Sequence, residues 1–497
     1  MGTKKRSFWL YLYFLGMLSL LAACQTAPSA TPSSVALLPT ITNQPVLATA
    51  VSTHTPILNP TPETTTPAPP TAVSPTSTIT ATPEPSATIR PYPTLDYTVA
   101  TPATAVPSPV PPFPKPEHIT NIVLLGNDVP FAQGGRTDSI IIVSINRQTK
   151  TAVLLTLPRD LYVVIPGWKM TRINLALPHG HGANYPGGGG GLIKDTIEYN
   201  LGIPIDYYAR IGFDGFQQVV DTLGGVEIVN TCALTDWRLI TPDLDPELED
   251  SWEQFTLEPG VYEMDGDLAL WYVRSRRTTN DFERGLRQQQ LLRAIFDEGL
   301  RLDVLPDLPQ LWQTFQETVE TDLTLPQLLE LAALAPEVQA NGIQHLALAG
   351  DSVQGWAEPG SGAAVQLLQW PEASATLARV MQPPVLNRAN RPPLTVEVVT
   401  GDETAYRLMA HNLAWHGFVP IWVQPTEPLP AQTRIEYFAP NFKASYDWLL
   451  SWLFHQQPAD ILLRPETAVE SHAYRVTLGA DANPCLPQLE APSAPTE

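Results

Sequence analysis

Six arginines lie between residues 274 and 293, where only two acidic residues, Asp281 and Glu283, accompany them. The whole chain carries a formal net charge of -21, so this local excess of positive charge indicates an anionic ligand. Every cation in the segment is arginine, whose planar guanidinium can bind two phosphate oxygens through parallel hydrogen bonds. The residue types therefore favour a phosphate-bearing ligand. The alternative is a solvated helix face whose arginines form salt bridges with the two acids.

The second half of this segment predicts a helix capped by Asp281. At helical spacing, Arg284, Arg287 and Gln288 share one face of that helix. Arginines in the first turn oppose the helix macrodipole, so they cost stability unless an anion lies beside them. The arrangement therefore favours a bound anion at the start of the helix.

Further charged residues flank three predicted strands. The strands are expected at residues 121–126, 139–146 and 151–157. Asp128 follows the first strand, Arg136 and Asp138 precede the second, and Arg159 and Asp160 follow the third. Because open α/β sheets bind ligands at strand ends, this alternation predicts a metal held by carboxylates beside a phosphate held by guanidinium groups. Ordinary ion pairs between loops are the alternative.

The elements that must position these residues alternate between strands and helices, which predicts an α/β layered domain at residues 117–305. Its helices are expected at 191–201, 213–223, 266–272 and from 281 onward. A helical extension at 306–391 would complete this domain or link it to the next. Pro392 and Pro393 mark the start of a smaller α/β domain at 392–485, and a disordered tail is expected at 486–497.

The N-terminus predicts export. Lys4, Lys5 and Arg6 precede an apolar run that ends in Leu-Ala-Ala-Cys at Cys24, so residues 1–24 resemble the signal peptide of a bacterial lipoprotein. Cys24 would carry the lipid, and the chain would be anchored to the outer face of the cytoplasmic membrane. An uncleaved signal anchor is the alternative, although the apolar run is shorter than the about 20 residues that a membrane span needs.

Residues 25–116 are rich in Pro, Thr, Ser and Ala, and their low apolar content predicts a disordered, extended tether. Cys232 and Cys485 could form a disulfide outside the cell, or they could be two separately buried thiols. His179 and His181 are expected to be solvent-exposed in a loop that ends in five glycines, because no third metal ligand accompanies them.

These segments together resemble the LytR-CpsA-Psr family of bacterial cell-envelope phosphotransferases over about residues 118–305. The resemblance rests on NIVLLGND at 121–128, RTDS at 136–139, PRD at 158–160, RIN at 172–174, GIPIDYY at 202–208, FDGF at 213–216, LGGV at 223–226 and the arginine segment. The family's fold implies an α-β-α catalytic domain around a central mixed sheet. Residues from 396 to about 481 are similar to the C-terminal domain that is often appended in this family.

The resemblance implies an extracytoplasmic enzyme that moves a glycopolymer from an undecaprenyl-pyrophosphate carrier onto a muramic-acid hydroxyl of peptidoglycan. It implies Mg²⁺ as cofactor, with Asp128 and Asp138 as carboxylate ligands. The residues that match the family's pyrophosphate site are Arg136, Arg159, Arg274, Arg276, Arg284 and Gln288. Arg136 and Arg159 would also act in catalysis, and Asp160 and Asp281 are two candidates for accepting the hydroxyl proton. Arg277, Arg287 and Arg293 are expected to be surface charges.

The prenyl chain would need an apolar tunnel, expected between the sheet and the helices at 191–201 and 213–223. Two other functions remain open at this stage. A prenyl or sugar pyrophosphatase would use the same site with water as acceptor, and a wall-binding or polyprenyl-lipid-binding protein would lack catalysis. The pair Asp128 and Asp138 disfavours the binding protein, which has no need for metal carboxylates. No nucleic-acid partner is expected.

Overall fold

The computed structural model describes residues 92–93, 102–127, 135–241, 243–316, 318–384, 394–438, 446–464 and 473–486. The predicted lipidation site Cys24, the predicted metal ligand Asp128 and nearly all of the predicted tail lie outside these residues. Among the described helices, none combines the length and the apolar composition that a membrane span requires.

Strands and helices alternate along most of the chain. Strands β1 to β6 span Ile119–Asn127, Thr137–Asn146, Thr151–Thr156, Tyr162–Val164, Met170–Arg172 and Tyr207–Gly212, with helices α1 (Ala176–Gly182) and α2 (Gly188–Leu201) between β5 and β6. Next come α3 (Phe213–Thr222), β7 (Val226–Asn230), β8 (Leu234–Leu239), β9 (Trp252–Leu257), β10 (Gly260–Met264), α4 (Gly266–Arg274) and α5 (Asp281–Arg301). They are followed by α6 (Leu308–Phe315), β11 (Val319–Thr321), α7 (Leu325–Ala332), α8 (Ala335–Asn341), β12 (Ile343–Ala347), β13 (Val353–Ala357), β14 (Ala364–Leu368) and α9 (Glu372–Ala378). The last elements are β15 (Thr395–Val399), α10 (Glu403–Trp415), β16 (Val419–Val423), β17 (Arg434–Tyr437), α11 (Asp447–Leu453), β18 (Leu462–Leu463) and β19 (Tyr474–Thr477).

A central mixed sheet with the strand order β11-β6-β1-β2-β3-β12 organises the first domain. Strand β1 pairs antiparallel with β2 and parallel with β6. The predicted α/β class with a central mixed sheet is confirmed. Both edge strands come from the region 306–391, which was expected to be helical and is not helical throughout. Strands of three and five residues are too short for an alternating pattern to reveal them.

The two faces of this sheet are covered differently. Val123, Leu125, Ile140 and Ile142 alternate along β1 and β2 and pack against α1 and α2 in a dense core. Helices α3, α4 and α5 share a separate apolar cluster on the other side. Because this second cluster lies apart from the sheet core, space remains between the sheet and these helices.

The glycine run and the two histidines do not form the loop that was expected. His179 and His181 lie in α1, and the ring of His179 stacks on Trp168 with 3.9 Å between centroids. The glycines form the first turn of α2. A Cβ on Gly190 would lie 2.1 Å from Cε1 of Tyr208, so glycine is needed there for close approach of helix and sheet.

The last part of the predicted tether is ordered. Within residues 102–116, the backbone N–H groups of Val110 and Phe113 donate to the carbonyls of Tyr199 and Gly202 at 2.9 and 2.8 Å. The prediction of disorder is therefore wrong for this stretch, since backbone hydrogen bonds to the end of α2 and the packing of Phe113 against the sheet core hold it in place. The remainder of the tether, apart from residues 92–93, lies outside the described residues.

The C-terminal domain is a smaller α/β unit, as predicted, with a sheet in the order β16-β15-β19-β17-β18. A disulfide between Cys232 and Cys485, with 4.6 Å between their Cα atoms, joins this domain to the first one. The rings of His345 and Trp415 also stack between the two domains, with centroids 3.5 Å apart. The disulfide and this ring contact connect the smaller domain to the end of β7 and to β12 of the first domain.

Candidate active site

Arg159 lies at the centre of a cluster of charged side chains beyond the end of β3. Its guanidinium donates to Asp138 at 2.9 Å and lies 3.4 Å from Asp160 and 3.9 Å from Asp281. Burial alone would lower the pKa of Arg159, but these three carboxylates raise it above its ordinary value. Arg159 therefore remains a cation between carboxylates from three separate segments.

Asp138 owes its position to an irregularity in the sheet. Gly126 pairs with Ser139 and Asn127 pairs with Thr137, which leaves Asp138 as the extra residue of a β-bulge. Bulges turn a side chain away from the regular alternation of a strand. The bulge places the Asp138 carboxylate at the mouth of the site, where about a third of it is exposed.

The start of α5 supplies the next two site residues, Arg284 and Gln288. The side chain of Asn280 caps this helix by accepting from the backbone N–H groups of residues 282 and 283, so the prediction of Asp281 as the cap is wrong. Either side chain could have capped the helix, and Asp281 instead lies 3.2 Å from Arg284. Gly285 allows this turn to approach β3, since a Cβ there would lie 2.7 Å from Thr156.

Arg284 is only 7% exposed. Burial lowers its pKa, which Asp281 counteracts, whereas the neighbouring cations Arg159 and Arg276 lower it further. A buried guanidinium beside other guanidinium groups is stabilised by an anion. This electrostatic arrangement favours a ligand with several negative oxygens over a set of ordinary salt bridges.

Arg274 and Arg276 lie at the end of α4 and in the loop after it, both exposed. The guanidinium of Arg274 lies over the ring of Phe213, 4.2 Å from its centroid. The backbone N–H groups of Arg276 and Arg277 donate to one carboxylate oxygen of Asp236 in β8, at 2.7 and 3.2 Å. Asp236 therefore fixes the shape of the loop that carries Arg276 and Arg277, called the arginine loop below. Nothing in the sequence pattern indicated this role of Asp236.

Arg287 is buried, so the prediction of a surface charge is wrong for this residue. Its Nε donates to the carbonyl of Tyr272 at 3.0 Å, and its Nη2 donates to the carbonyl of Ser275 and, at 3.2 Å, to the hydroxyl of Thr279. The guanidinium of Arg287 has several donors, so it provides hydrogen bonds to the carbonyls at the end of α4 and stabilises the arginine loop.

Two further arginines from the sequence prediction lie apart from this cluster. Arg293 forms an ion pair with Asp297 on the side of α5, 3.6 Å away. Arg136 is exposed before β2 and does not line either of the two cavities at the site. Its predicted role, like that of Asp128, stays a prediction.

A cavity of about 480 Å³ opens beside the cluster. Its mouth is formed by Asp138, Arg159, Arg274, Arg276, Arg284 and Gln288. Its interior is mainly apolar, with Leu124, Ile141 and Ile211 from the sheet and Phe216, Leu292 and Ile295 from the helices. The buried Arg210 also lines it, and that charge is paired with Glu320 at 2.9 Å. The cavity can hold an apolar chain whose anionic end lies among the arginines.

The cavity corrects the predicted position of the tunnel. Helix α3 lines it, as expected, together with α4 and α5. Helix α2 was also expected to line it, but α2 packs on the opposite face of the sheet. An apolar helix face can cover either side of a sheet, and sequence periodicity does not distinguish the two.

A second and much smaller cavity, of about 40 Å³, also borders the cluster. Asp138, Ser139, Arg159, Arg284 and Gln288 line both cavities, so the two spaces meet at the guanidinium groups. Asp160, Asp281, Phe282 and Gln366 line the small cavity alone. Gln366 belongs to β14 and was not anticipated from the sequence.

The carboxylate of Asp138 fits a hard divalent cation, because it offers oxygen ligands at the mouth that both cavities share. Mg²⁺ typically binds one or two carboxylates together with substrate phosphates and water. Within the described residues, no group of three or more His, Cys, Asp or Glu side chains forms a complete metal site. The second expected carboxylate, Asp128, lies outside those residues.

Comparison with known proteins identifies a matching family and several relatives. The profile of the LytR_cpsA_psr family matches residues 97–377. TagU of Bacillus licheniformis, named a polyisoprenyl-teichoic acid–peptidoglycan teichoic acid transferase, is 29% identical over 228 residues, which cover 45% of this chain and 67% of TagU. TagT of Bacillus subtilis, with the same transferase name, is 31% identical over 216 residues, covering 42% of this chain and 62% of TagT. A solved structure described as TagT bound to LI-WTA is 26% identical, with a TM-score of 0.40, and covers 53% of this chain and 90% of that chain. The chain thus spans about two thirds of the length of these curated relatives.

Proposed function

This chain belongs to the LytR_cpsA_psr family, and from that premise we propose that it transfers a teichoic-acid-like glycopolymer from an undecaprenyl-pyrophosphate carrier to a hydroxyl of peptidoglycan. The relatives named as teichoic acid transferases support this substrate class. One structural observation carries the proposal. The apolar cavity of about 480 Å³ opens directly onto a cluster of arginines, and a prenyl pyrophosphate has the matching chemistry of an apolar chain with an anionic head.

The reaction forms a bond between the acceptor oxygen and the phosphorus that carries the glycopolymer. The bond from that phosphorus to the bridging oxygen of the pyrophosphate breaks, and prenyl monophosphate leaves. Phosphoryl transfer depends mainly on positioning and on stabilising charge at the phosphate oxygens. Arg159, Arg276 and Arg284 are placed to supply that stabilisation, and the buried position of Arg284 strengthens its effect.

The acceptor proton passes to Asp281 in this proposal. The two oxygens of Asp160 lie 3.2 Å from Arg172 and 3.4 Å from Arg159, so both face guanidinium groups. One oxygen of Asp281 pairs with Arg284 at 3.2 Å, but the other is 3.9 Å from Arg159, which makes it the one of these four carboxylate oxygens that lies furthest from a guanidinium group. That oxygen can accept a proton, whereas Asp160 orients Arg159.

Mg²⁺ is the cofactor in this proposal, with Asp138 and Asp128 as its carboxylate ligands. When bound, it would neutralise part of the charge on the pyrophosphate oxygens. Binding can be measured without turnover by calorimetric titration of the metal-free protein with Mg²⁺. Asp138→Asn should weaken the binding of Mg²⁺. Asp297→Asn should leave it unchanged, because Asp297 lies in the C-terminal part of α5 and lines neither cavity. Equal affinity in the wild type and in Asp138→Asn would contradict this assignment.

The chain acts outside the cytoplasm in this proposal, anchored through a lipid on Cys24. The apolar run that ends in Leu-Ala-Ala-Cys supports this location. Mass spectrometry of the protein extracted from membranes tests it directly. A diacylated Cys24 at the mature N-terminus is expected, and retained residues 1–23 would contradict the anchor.

The experiment for the central proposal uses the full chain in detergent with two donors, one linked to undecaprenyl pyrophosphate and one to geranyl pyrophosphate. Peptidoglycan fragments serve as acceptor, and the products are identified by mass. Leu292→Trp fills part of the cavity, so it should reduce transfer from the long-chain donor by about tenfold or more while sparing the short one. Leu302→Trp, at an exposed position beyond the same helix, is the matched control.

Three outcomes separate the functions. A phosphoglycan attached to peptidoglycan supports the transferase. Free phosphoglycan and prenyl monophosphate, with no attached product, identify a pyrophosphatase. Binding of the donor without cleavage leaves a lipid-binding protein.

A further inference from the structure

The hairpin formed by β13 and β14 contributes Gln366 to the small cavity and no residue to the large one, and the proposed function gives it no role. We infer that this hairpin forms the acceptor side of the site and that Gln366 binds the sugar of the acceptor glycan next to the reacting hydroxyl. This inference rests on the proposed function, because it identifies where the second substrate of the same reaction binds.

The first step follows from the positions of the two cavities. In phosphoryl transfer, the attacking oxygen and the leaving oxygen lie roughly in line on opposite sides of the phosphorus. If the prenyl phosphate leaves toward the large cavity, the attacking hydroxyl must come from the other side of Arg159 and Arg284. The small cavity shares these two guanidinium groups with the large one and is also lined by Asp160, Asp281 and Gln366, so we assign the attacking hydroxyl to this space.

The size of the small cavity fits a reacting group and not a whole substrate. Its volume of about 40 Å³ is a few times the roughly 10–15 Å³ that a cavity needs to hold one water molecule. A hydroxyl and the carbon that carries it can enter this space. The rest of the sugar must remain outside and contact the wall of the cavity, of which Gln366 is part.

The hairpin is held in a fixed position relative to the catalytic residues. The backbone N–H of Gln366 donates to the carbonyl of Asp160 at 2.9 Å. Arg172 donates to the carbonyl of Ala364 at 2.8 Å while its Nε lies 3.2 Å from the Asp160 carboxylate. These contacts join β14 to Asp160, the residue that follows Arg159. A glycan bound along the hairpin would therefore have a fixed position relative to the arginines.

The side chain of Gln366 has the chemistry that a sugar requires. A primary amide carries both a donor and an acceptor, so it can bind neighbouring hydroxyl and acetamido groups of a glycan. Within the part of the chain that the structure describes, this amide makes no hydrogen bond, and the side chain is half-buried at the cavity. The carboxylate of Asp281 lines the same small space and is placed to take the proton.

Gln366→Leu tests the inference, since it keeps the volume of the side chain and removes the amide. The full chain is assayed with an undecaprenyl-pyrophosphate glycan donor and with peptidoglycan tetrasaccharide at increasing concentration. Loss of one hydrogen bond should raise the KM for the tetrasaccharide roughly 3- to 10-fold. The KM for the donor and the slow release of prenyl monophosphate to water should stay within about twofold, because donor contacts are unchanged.

Gln354→Leu is the matched control. Gln354 lies in the same hairpin, on β13, but it is exposed and does not line the small cavity. Its substitution should change neither KM. Circular dichroism and thermal unfolding of both variants verify that the hairpin remains folded.

The outcomes are distinguishable from failure of the proposed function. If the wild type neither cleaves nor transfers the donor, the proposed function itself is wrong. If the wild type transfers but Gln366→Leu has an unchanged KM for the tetrasaccharide, the acceptor does not bind at the hairpin. A change in donor KM equal to that in acceptor KM would also overturn the inference, since it would place Gln366 on the donor side.

Discussion

Arg159 donates a hydrogen bond to Asp138 at 2.9 Å across the mouth where the two cavities meet. The two residues reach this position by different means, since Asp138 is the extra residue of a bulge in β2 and Arg159 follows the end of β3. Charge-assisted bonds of this kind are strong when they are partly buried. The pair therefore holds one cation and one carboxylate at the same point. A phosphate could bind to Arg159 there, and a divalent cation on that phosphate could bind to Asp138.

Arg276→Ala is expected to reduce transfer about 10²-fold or more, because a single lost donor to developing charge costs on this scale. Arg276→Lys should recover little, since it keeps the charge and loses the paired hydrogen bonds. Arg276 is exposed, so the variant should fold normally. Initial rates at saturating donor measure the effect.

Arg277→Ala is the control for that variant. Arg277 is the next residue in the same loop and is also exposed, but its guanidinium lies 5.1 Å from the centroid of the Trp237 ring and does not line the large cavity. Transfer by this variant should stay within about threefold of the wild type, as expected for a surface contact. Equal rates in Arg276→Ala and Arg277→Ala would remove the arginine loop from the catalytic site.

Arg287→Ala is expected to affect stability first. The buried guanidinium donates to the carbonyls of Tyr272 and Ser275, and hydrogen bonds to charged groups contribute about 1.5–3 kcal/mol. The free energy of unfolding should therefore fall by at least that amount, which urea denaturation can measure. Arg301→Ala, at a position that is mostly exposed on the same helix, should leave it close to the wild-type value, because exposed ion pairs contribute little. An unchanged midpoint in Arg287→Ala would mean that the loop does not depend on this side chain.

Part of the site could be predicted because its residue types are unusual for this chain. An excess of arginine in an acidic protein pointed to Arg276 and Arg284, and the charged residues at strand ends pointed to Asp138 and Arg159. The structure brings these four side chains to one mouth. Local sequence could not separate Arg284 from Arg287, because both lie on one stretch of helix and both are buried. Only the packing of α4 decides that Arg284 lines the cavity and that Arg287 bonds to the end of α4.

The remaining features depend on contacts between distant segments. The bulge at Asp138 is a property of the register between β1 and β2, and a strand's own pattern does not reveal its register. Gln366 reaches the site from a hairpin more than 200 residues beyond Asp160. An uncharged amide in a short strand gives no compositional signal. The ordered segment 102–116 was missed because its contacts, such as those of Phe113 with the sheet core and of Lys115 with Asp206, are made with distant segments, which composition does not report.

Lowering the pH is expected to destabilise the folded protein, because two histidines near the contact between α10 and the first domain have lowered pKa values. Burial lowers the pKa of His411 and of His416 to about 4, and the nearby charge of Arg293 adds to the effect on His411. These histidines stay neutral in the folded protein but bind protons near pH 6.5 in the unfolded chain. The free energy of unfolding should therefore decrease as the pH falls from about 6.5 toward 4, and these groups should have no effect above about pH 7.5.

Urea midpoints measured between pH 4 and 8 test this expectation. His411→Gln removes one titrating group and should make the decrease shallower. A midpoint that does not change between pH 6.5 and 4.5 would contradict the assignment of neutral, half-buried histidines.

The double variant Cys232→Ser, Cys485→Ser is expected to loosen the C-terminal domain without abolishing chemistry. The disulfide joins residues 253 positions apart, and removal of a native disulfide typically costs about 2–5 kcal/mol, in large part because the unfolded chain is less constrained. The free energy of unfolding measured in urea should fall by about this amount. Reductant should lower the stability of the wild type to that of the variant and should not affect the variant.

Transfer between soluble substrates should persist, because the residues that line both cavities belong to the first domain. Loss of all transfer in a folded double variant would show that the C-terminal domain completes the active site.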